Sequence, residues 1–172
     1  MSAPGYHLWL KPPEPAHALF AATIDTLAQR LSAARFEPHI TLLARLEGGG
    51  EADHIRRSDA LAEILRPFEV QLSAPAYGNQ HFQCIYMLVR QSGDVIRANA
   101  LARRLFERGE ESFMPHLSLV YGTYPNAMKK QIVDALPESL RASFIVGALH
   151  LVKSHSDDPR DWHEIHAAPL RG

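Results

Sequence analysis

One seven-residue segment occurs twice in this chain, and the repeat constrains the fold more than any other feature of the sequence. Residues 36–42 read Phe-Glu-Pro-His-Ile-Thr-Leu, and residues 113–119 read Phe-Met-Pro-His-Leu-Ser-Leu. The two histidines, His39 and His116, lie 77 residues apart. Each copy follows a strand-like and then a helix-like segment. We therefore expect two related halves, each contributing one copy of the same strand.

The spacing within each copy places polar groups on one side of a strand, because side chains two positions apart share a face. His39 and Thr41 face one side in the first copy, and His116 and Ser118 do so in the second. A pseudo-two-fold pairing of the halves would gather all four groups around one cleft. Two imidazoles can act as base and acid on opposite sides of one bond. Hydroxyls can donate hydrogen bonds to phosphate oxygens, so the set predicts hydrolysis of a phosphodiester without a metal or other cofactor.

Chance is the alternative explanation for a single His-x-Ser/Thr triplet, since the chain contains 10 histidines. Only His39 and His116 are followed by Ser or Thr two positions later, and both lie in matching Phe-x-Pro contexts within apolar segments. Coincidence in all of these respects would be unusual, which favours a catalytic pair.

Helix and strand patterns alternate along the whole chain, which predicts an α+β fold. We expect about seven strands, many of them antiparallel, and four helices in a single domain spanning residues 1–172. Asp94 is predicted to cap the third helix. The strands are predicted at 6–11, 36–43, 69–77, 83–90, 115–121, 143–154 and 162–168, and three of the helices at 15–33, 51–65 and 126–136.

Composition excludes several classes of protein. The formal net charge of −1 argues against a protein that grips long nucleic acid by neutralising many phosphates. The longest apolar run is far shorter than a membrane span, and residues 1–10 lack the pattern of a secretory signal. The single Cys84 cannot form an intramolecular disulfide or a zinc site of several thiolates, and it is expected in the core. We expect a cytoplasmic monomer.

His163 and His166 are the strongest alternative candidates for a metal site. Their spacing is i and i+3 in a predicted strand, so they should face opposite sides, and a zincin helix requires i and i+4. No metal site is therefore predicted. Lys153 and Arg160 are candidate cations for a distal phosphate, although no spacing argument supports either.

The paired motifs resemble those of the two-histidine (2H) phosphoesterase superfamily, and the chain is most similar to the plant and fungal cyclic phosphodiesterases. The likeness extends nearly from end to end. It includes Tyr-His-Leu-Trp-Leu at residues 6–10, Phe-Gln-Cys at 82–84, the second motif with the nearby Tyr121, and the late Trp162. Plant members contain several cysteines that can form disulfides, whereas this chain has only Cys84.

The resemblance implies a bilobal fold in which two antiparallel sheets with outer helices flank a central cleft. It implies catalytic histidines at His39 and His116 and phosphate-binding hydroxyls at Thr41 and Ser118. It also implies substrate-binding aromatic residues, Tyr121 and, less directly, Phe82 or a neighbour. If its strand continued, however, Tyr121 would face away from Ser118.

The implied reaction is hydrolysis of ADP-ribose 1″,2″-cyclic phosphate to ADP-ribose 1″-phosphate, a step downstream of tRNA splicing. Nucleoside 2′,3′-cyclic phosphates would likewise give 2′-phosphates, so the expected partner is a small cyclic-phosphate nucleotide. The alternatives are an RNA-end enzyme (an RNA 2′,3′-cyclic phosphodiesterase or a 2′–5′ RNA ligase) and a non-catalytic nucleotide-binding module. The near-symmetric motifs leave open which histidine is the acid, and two imidazoles predict a bell-shaped pH profile near neutrality.

Overall fold

A computed structural model describes residues 5–172, so the first four residues of the segment tested for a secretory signal lie outside it. Eight strands and four α-helices are present in this part of the chain. Short 3-10 turns cover Glu138–Leu140 and Pro159–Asp161. In chain order the elements are β1 (Gly5–Leu10), α1 (Ala16–Leu31), β2 (Ile40–Leu46), α2 (Glu51–Ile64), β3 (Phe68–Gln80), β4 (Gln83–Val89), α3 (Gly93–Leu105), β5 (His116–Val120), α4 (Asn126–Ala135), β6 (Ser143–Val146), β7 (Ala148–Ser154) and β8 (Trp162–Pro169).

The α+β class and the antiparallel strands are confirmed, but two local predictions are wrong. Residues 143–154 form two strands, separated at Gly147, because β6 pairs with β3 whereas β7 pairs with β1 and β8. Helix α3 is capped by Ser92 and not by Asp94. The Ser92 side chain accepts a hydrogen bond from the Val95 N–H at 3.4 Å, and Asp94 lies inside the first turn.

The expectation of two separate sheets is also wrong, because all eight strands belong to one sheet in the order β6-β3-β4-β5-β2-β1-β7-β8. The two motif strands, β2 and β5, are neighbours at its centre. Their antiparallel pairing consists of one residue pair, Ile40 with Leu117. Four strands lie on each side of this junction, so the two lobes are halves of one sheet joined at a single point.

The two halves of the chain exchange strands across this junction. Strand β3 follows the first motif in sequence, yet it pairs with β4 of the second lobe. Strand β7 follows the second motif, yet it pairs with β1 of the first lobe. Neither half of the sequence therefore contains all the strands of its own lobe, and we expect the two lobes to fold as one unit.

The aliphatic face of the motif strands enters the core, as the alternation predicts. Ile40, Leu42, Leu117 and Leu119 are all at most 1% exposed. Helix α1 contacts β5 and helix α3 contacts β2, so helices cover this apolar face. The opposite face, which carries the motif histidines and hydroxyls, borders a cleft.

A buried histidine in α2 has one ring nitrogen without a hydrogen-bond partner among the described residues. His54 is 2% exposed and lies between the rings of Tyr6 and Phe106, at centroid distances of 4.7 and 6.0 Å. Its Nδ1 has no partner among residues 5–172. Burial lowers the pKa of His54 below its ordinary value of 6.5, so the ring is neutral in the folded protein at pH 7.5. A buried unpaired group of this kind costs about 1–3 kcal/mol.

His54→Leu is expected to raise the free energy of unfolding by about 1 kcal/mol at pH 7.5, because it removes the unpaired nitrogen. The gain should be larger at about pH 5.5. The pKa of His54 is lower in the folded state than in the unfolded state. Below pH 6.5 the unfolded chain therefore binds a proton at His54 more readily than the folded protein does, and wild-type protein loses stability as the pH falls. The leucine variant lacks this loss. Urea unfolding at both pH values measures this. The exposed His155→Leu is the matched control, and a gain that does not grow on acidification contradicts the account.

Candidate active site

The two His-x-Thr/Ser motifs meet where the two lobes join. Ile40 and Leu117, the single pair that connects β2 to β5, are the middle residues of the two motifs and are 0% exposed. The polar residues that flank this pair therefore converge from both lobes. They line one cleft of about 500 Å³. These residues are His39, Thr41, His116 and Ser118.

Both motif imidazoles are held in the same way. His39 Nδ1 lies 2.7 Å from the Glu37 carbonyl oxygen, and His116 Nδ1 lies 2.8 Å from the Met114 carbonyl oxygen. A carbonyl oxygen only accepts, so Nδ1 of each ring carries the proton and donates it. Nε2 is therefore the basic nitrogen in both rings. In each motif the accepting carbonyl belongs to the residue before proline, whose backbone is restricted to extended conformations, which explains the repeated proline.

An aromatic side chain from the neighbouring strand backs each histidine. The Trp9 ring of β1 is stacked on His39, with centroids 3.6 Å apart and planes 9° apart. The Tyr86 ring of β4 lies 5.0 Å from His116 at an angle of 56°. In the strand pairing, Trp9 is opposite the motif threonine and Tyr86 is opposite the motif serine. Sequence reasoning assigned neither residue to the site, although Trp9 and Tyr86 are separated by the same 77 residues as the histidines.

The two histidines differ in their electrostatic environment. His39 is 6% exposed, and burial lowers its pKa to about 3, with smaller contributions in the same direction from the charges of His116 and Lys11. The hydrogen bond to the Glu37 carbonyl opposes this shift. His116 is half-buried; burial also lowers its pKa, and its own carbonyl partner acts in the opposite direction. The two rings are chemically the same but differ in burial, and His39 is neutral in the free protein.

Tyr121 faces the cleft because β5 ends one residue earlier, at Val120, so the alternation of the strand no longer applies. Its ring is stacked on Phe36 at 3.9 Å and meets Phe82 edge-on at 5.1 Å. Burial raises the pKa of the Tyr121 hydroxyl, so the phenol is neutral. Ser118 Oγ donates to the Phe82 carbonyl at 3.3 Å. Phe82 and Tyr121 thus lie beside the second motif.

Trp162 completes an aromatic wall of the cleft. Its Nε1–H donates to the Ser156 carbonyl at 2.8 Å, which fixes the indole at the start of β8. The Trp162 ring lies 5.9 Å from Trp9 and 6.0 Å from Phe82. All six residues proposed from the sequence therefore line one cleft, together with Trp9 and Trp162.

The remaining candidates from the sequence lie outside this cleft. Cys84 is buried, and burial raises the pKa of its thiol, as suits a small core residue. His166 Nε2 is bonded to Asp59 Oδ1 at 2.7 Å, away from His163. Within residues 5–172 no group of three or more His, Cys, Asp or Glu side chains is placed to hold a metal ion. No helix in the same range is long and apolar enough to cross a bilayer.

The orientation of the histidines gives a direct prediction for ¹⁵N NMR of the free protein above pH 7. His39 and His116 should both show the Nδ1–H tautomer, because both donate to a carbonyl. His7 is an internal control, since its Nδ1 accepts from the Arg45 N–H at 3.3 Å and its Nε2 faces Ser154 Oγ at 2.9 Å, which requires the Nε2–H tautomer. His39→Ala and His116→Ala assign the signals. An Nε2–H signal from either motif histidine would contradict the geometry.

Comparison with known protein families agrees with this arrangement. A family model described as "Cyclic phosphodiesterase-like protein" matches residues 4–170. Together with the fold and the paired motifs, this match places the chain in a known class, the 2H phosphoesterases. Within that superfamily, the chain belongs to the cyclic phosphodiesterase-like family.

Solved structures with the same fold cover nearly the whole chain. The crystal structure of TT0787 of Thermus thermophilus is 18% identical and superposes with a TM-score of 0.71, over 97% of this chain and 98% of that one. E. coli LigT complexed with 3′-AMP is 16% identical, with a TM-score of 0.65 over 99% of this chain and 100% of that one. No curated protein sequence matches this chain. The structural matches therefore establish the curled antiparallel fold.

Proposed function

We propose that the protein hydrolyses the cyclic phosphodiester of small nucleotides and that this reaction needs no metal ion. One observation carries the proposal. The two motif imidazoles lie on either side of the Ile40–Leu117 pair that joins the lobes. In each, Nδ1 is bonded to the carbonyl oxygen two residues earlier, and a hydroxyl residue follows two positions later. This arrangement suits one phosphate group held between the lobes, with a basic nitrogen on each side of it.

His39 is proposed as the general base and His116 as the general acid. His39 is the more deeply buried ring, and burial lowers its pKa to about 3, so its Nε2 is unprotonated and can accept a proton from water. The water oxygen bonds to phosphorus while the bond from phosphorus to one ribose oxygen breaks, and His116 protonates that oxygen. Exchange with solvent then returns both rings to their starting states. The face of Trp9 stabilises the His39 imidazolium while it exists.

Thr41 and Ser118 are proposed to hold the phosphate. Their hydroxyls donate hydrogen bonds to its non-bridging oxygens without adding charge, and such contacts strengthen as negative charge develops in the transition state. Ser118 would turn its hydroxyl from the Phe82 carbonyl to the phosphate. The bound anion also raises the pKa of His116, which favours the protonated form that an acid requires.

We propose ADP-ribose 1″,2″-cyclic phosphate as a substrate, with ADP-ribose 1″-phosphate as product, in the metabolism of tRNA-splicing products in the cytoplasm. Nucleoside 2′,3′-cyclic phosphates would give 2′-phosphates. The cleft volume of about 500 Å³ suits a nucleotide-sized ligand. Phe82, Tyr121 and Trp162 offer faces and edges for stacking of a base. E. coli LigT, which shares the fold, has been crystallised with 3′-AMP and with NADP⁺.

His39→Ala and His116→Ala are each expected to lower kcat for adenosine 2′,3′-cyclic phosphate by at least about 10²-fold, because each removes one proton-transfer group. The assay follows release of the 2′-phosphate in excess chelator. His163→Ala, an exposed histidine that does not line the cleft, is the control. Wild-type turnover in either motif variant, or loss of wild-type activity on chelation, would sink the proposed mechanism.

The same assay separates the two alternatives. Strong inhibition of mononucleotide hydrolysis by a long RNA would support an RNA-end enzyme. Tight binding of a cyclic nucleotide without any turnover would support a binding module. Weak competition by RNA and full turnover are the results expected here.

The pH dependence of kcat/KM should depart from a profile centred near neutrality. This parameter reports the free enzyme. There the pKa of His39 is about 3, and the pKa of His116 lies below its ordinary 6.5. The acid therefore loses its proton below pH 6.5, and kcat/KM should fall as the pH rises from about 5.5 to about 8. The profile of kcat should lie at higher pH, because the bound anion raises both pKa values. A kcat/KM that is flat or rising over this interval contradicts the assignment.

A further inference from the structure

Strand β2 departs from regular pairing where it leaves the motif. Trp9 is paired with Thr41, but Tyr6 is paired with Leu46, so β2 contains extra residues relative to β1. Arg45 lies in this irregular stretch and has a φ of 51°, in the left-handed region that side chains other than glycine rarely adopt. Bulges next to active sites commonly redirect a side chain. Arg45 lines the same cleft as the motif residues.

Contacts from two directions hold this strained backbone. Arg108 Nη1 donates to the carbonyl oxygens of Ala44 and Arg45, at 2.9 and 2.6 Å. From the other side, the Arg45 N–H donates to Nδ1 of His7, whose Nε2–H donates to Ser154 Oγ. The conformation of Arg45 is therefore imposed by tertiary contacts, as is typical of strain at functional positions.

The positive charge of Arg45 also acts on His7. The pKa of His7 is lowered to about 4, first by burial and then by the positive charge of Arg45. His7 and Ser154 both line the cleft, so the guanidinium lies close to the cleft wall that they form.

We propose that Arg45 binds a second phosphate group of the substrate, attached to C5′ of the ribose that carries the cyclic phosphate. The proposal rests on the proposed function and names the substrate class for that site. Arg45 follows Thr41 by four residues, at most about 13 Å along a strand. The Arg45 side chain can reach back over part of the distance to Thr41. The cyclic phosphate and the phosphate on C5′ are separated by only one ribose ring, so both can be bound within this reach. Arginine suits this role because its planar fork can bind phosphate through two parallel hydrogen bonds.

The other charged groups near the cleft have different roles. Arg108 is engaged by Glu111, with Nε 3.0 Å from Oε1, and by the two carbonyls of the bulge, so it positions Arg45. Asp157 also lines the cleft and, as an anion, is not a candidate for binding phosphate. The sequence-based candidates for a distal phosphate lie outside the lining: Lys153 is paired with Glu51 and Arg160 with Asp158.

A matched pair of substrates tests the proposal: adenosine 2′,3′-cyclic phosphate and its 5′-phosphorylated form. The measured quantity is the ratio of their kcat/KM values. Wild-type protein should favour the 5′-phosphorylated substrate by about tenfold or more, as expected for one charge-assisted contact. Arg45→Gln should bring the ratio close to one, and Arg104→Gln, an exposed arginine of α3, should keep the wild-type ratio.

Arg45→Gly is the control for an altered backbone conformation in Arg45→Gln. Glycine adopts the left-handed conformation without strain, so this variant keeps the bulge and removes the whole side chain together with its charge. It should lose the preference as Arg45→Gln does. If wild-type protein cleaves neither of these substrates nor ADP-ribose 1″,2″-cyclic phosphate, the proposed function fails. If it cleaves both with a ratio near one, or if both Arg45 variants keep the wild-type ratio, the role of Arg45 is overturned while the proposed function stands.

ADP-ribose 1″,2″-cyclic phosphate provides a second readout, because its diphosphate is attached to C5″ of the ribose that carries the cyclic phosphate. Arg45→Gln should raise KM for this substrate by about tenfold with a smaller effect on kcat, since the contact lies away from the reacting phosphorus. A loss confined to kcat would contradict a binding role.

Discussion

The pairing of Ile40 with Leu117 is the contact on which the rest of the structure depends. It is the only residue pair that joins β2 to β5, and both side chains are fully buried. Because each is the middle residue of a His-x-Thr/Ser motif, closing this pair brings four polar groups together. The exchange of β3 and β7 between the lobes ties the halves on either side of it. The cleft is therefore a consequence of how the sheet is joined.

The two motif histidines make the same backbone contact but lie in different surroundings. Both histidines donate Nδ1–H to the carbonyl two residues earlier, so both present Nε2 as the basic nitrogen. Burial then distinguishes them: His39 lies under the face of Trp9, whereas His116 is half-buried beside Tyr86. A repeated sequence can in this way supply two groups of one chemical type in different environments, because the two rings share the same kind of carbonyl partner but differ in burial.

The sequence was informative wherever short-range pattern decides the outcome. Alternation within the repeated segment predicted which side chains share a face, and the aliphatic residues Ile40, Leu42, Leu117 and Leu119 are buried as it requires. It could not show that the two lobes form one sheet, since that depends on a single long-range pair. The break at Gly147 was missed because residues 143–154 are strand-like on both sides of it.

Long-range contacts also explain what was missed at the site. The left-handed conformation of Arg45 comes from Arg108 and His7, which are distant in sequence, so no local pattern predicts it. Tyr121 faces the cleft because β5 ends early, which alternation alone does not reveal. Trp9 and Tyr86 were within reach of the sequence, since the 77-residue repeat relates them just as it relates the histidines.

The central claim is that one phosphate group is held between the two His-x-Thr/Ser motifs. A crystal structure of the protein with inorganic phosphate or vanadate tests it most directly. The account predicts one anion with Nε2 of both His39 and His116, and the hydroxyls of Thr41 and Ser118, within about 3.2 Å of its oxygens. An anion held by only one motif, or bound away from the junction of β2 and β5, would contradict it.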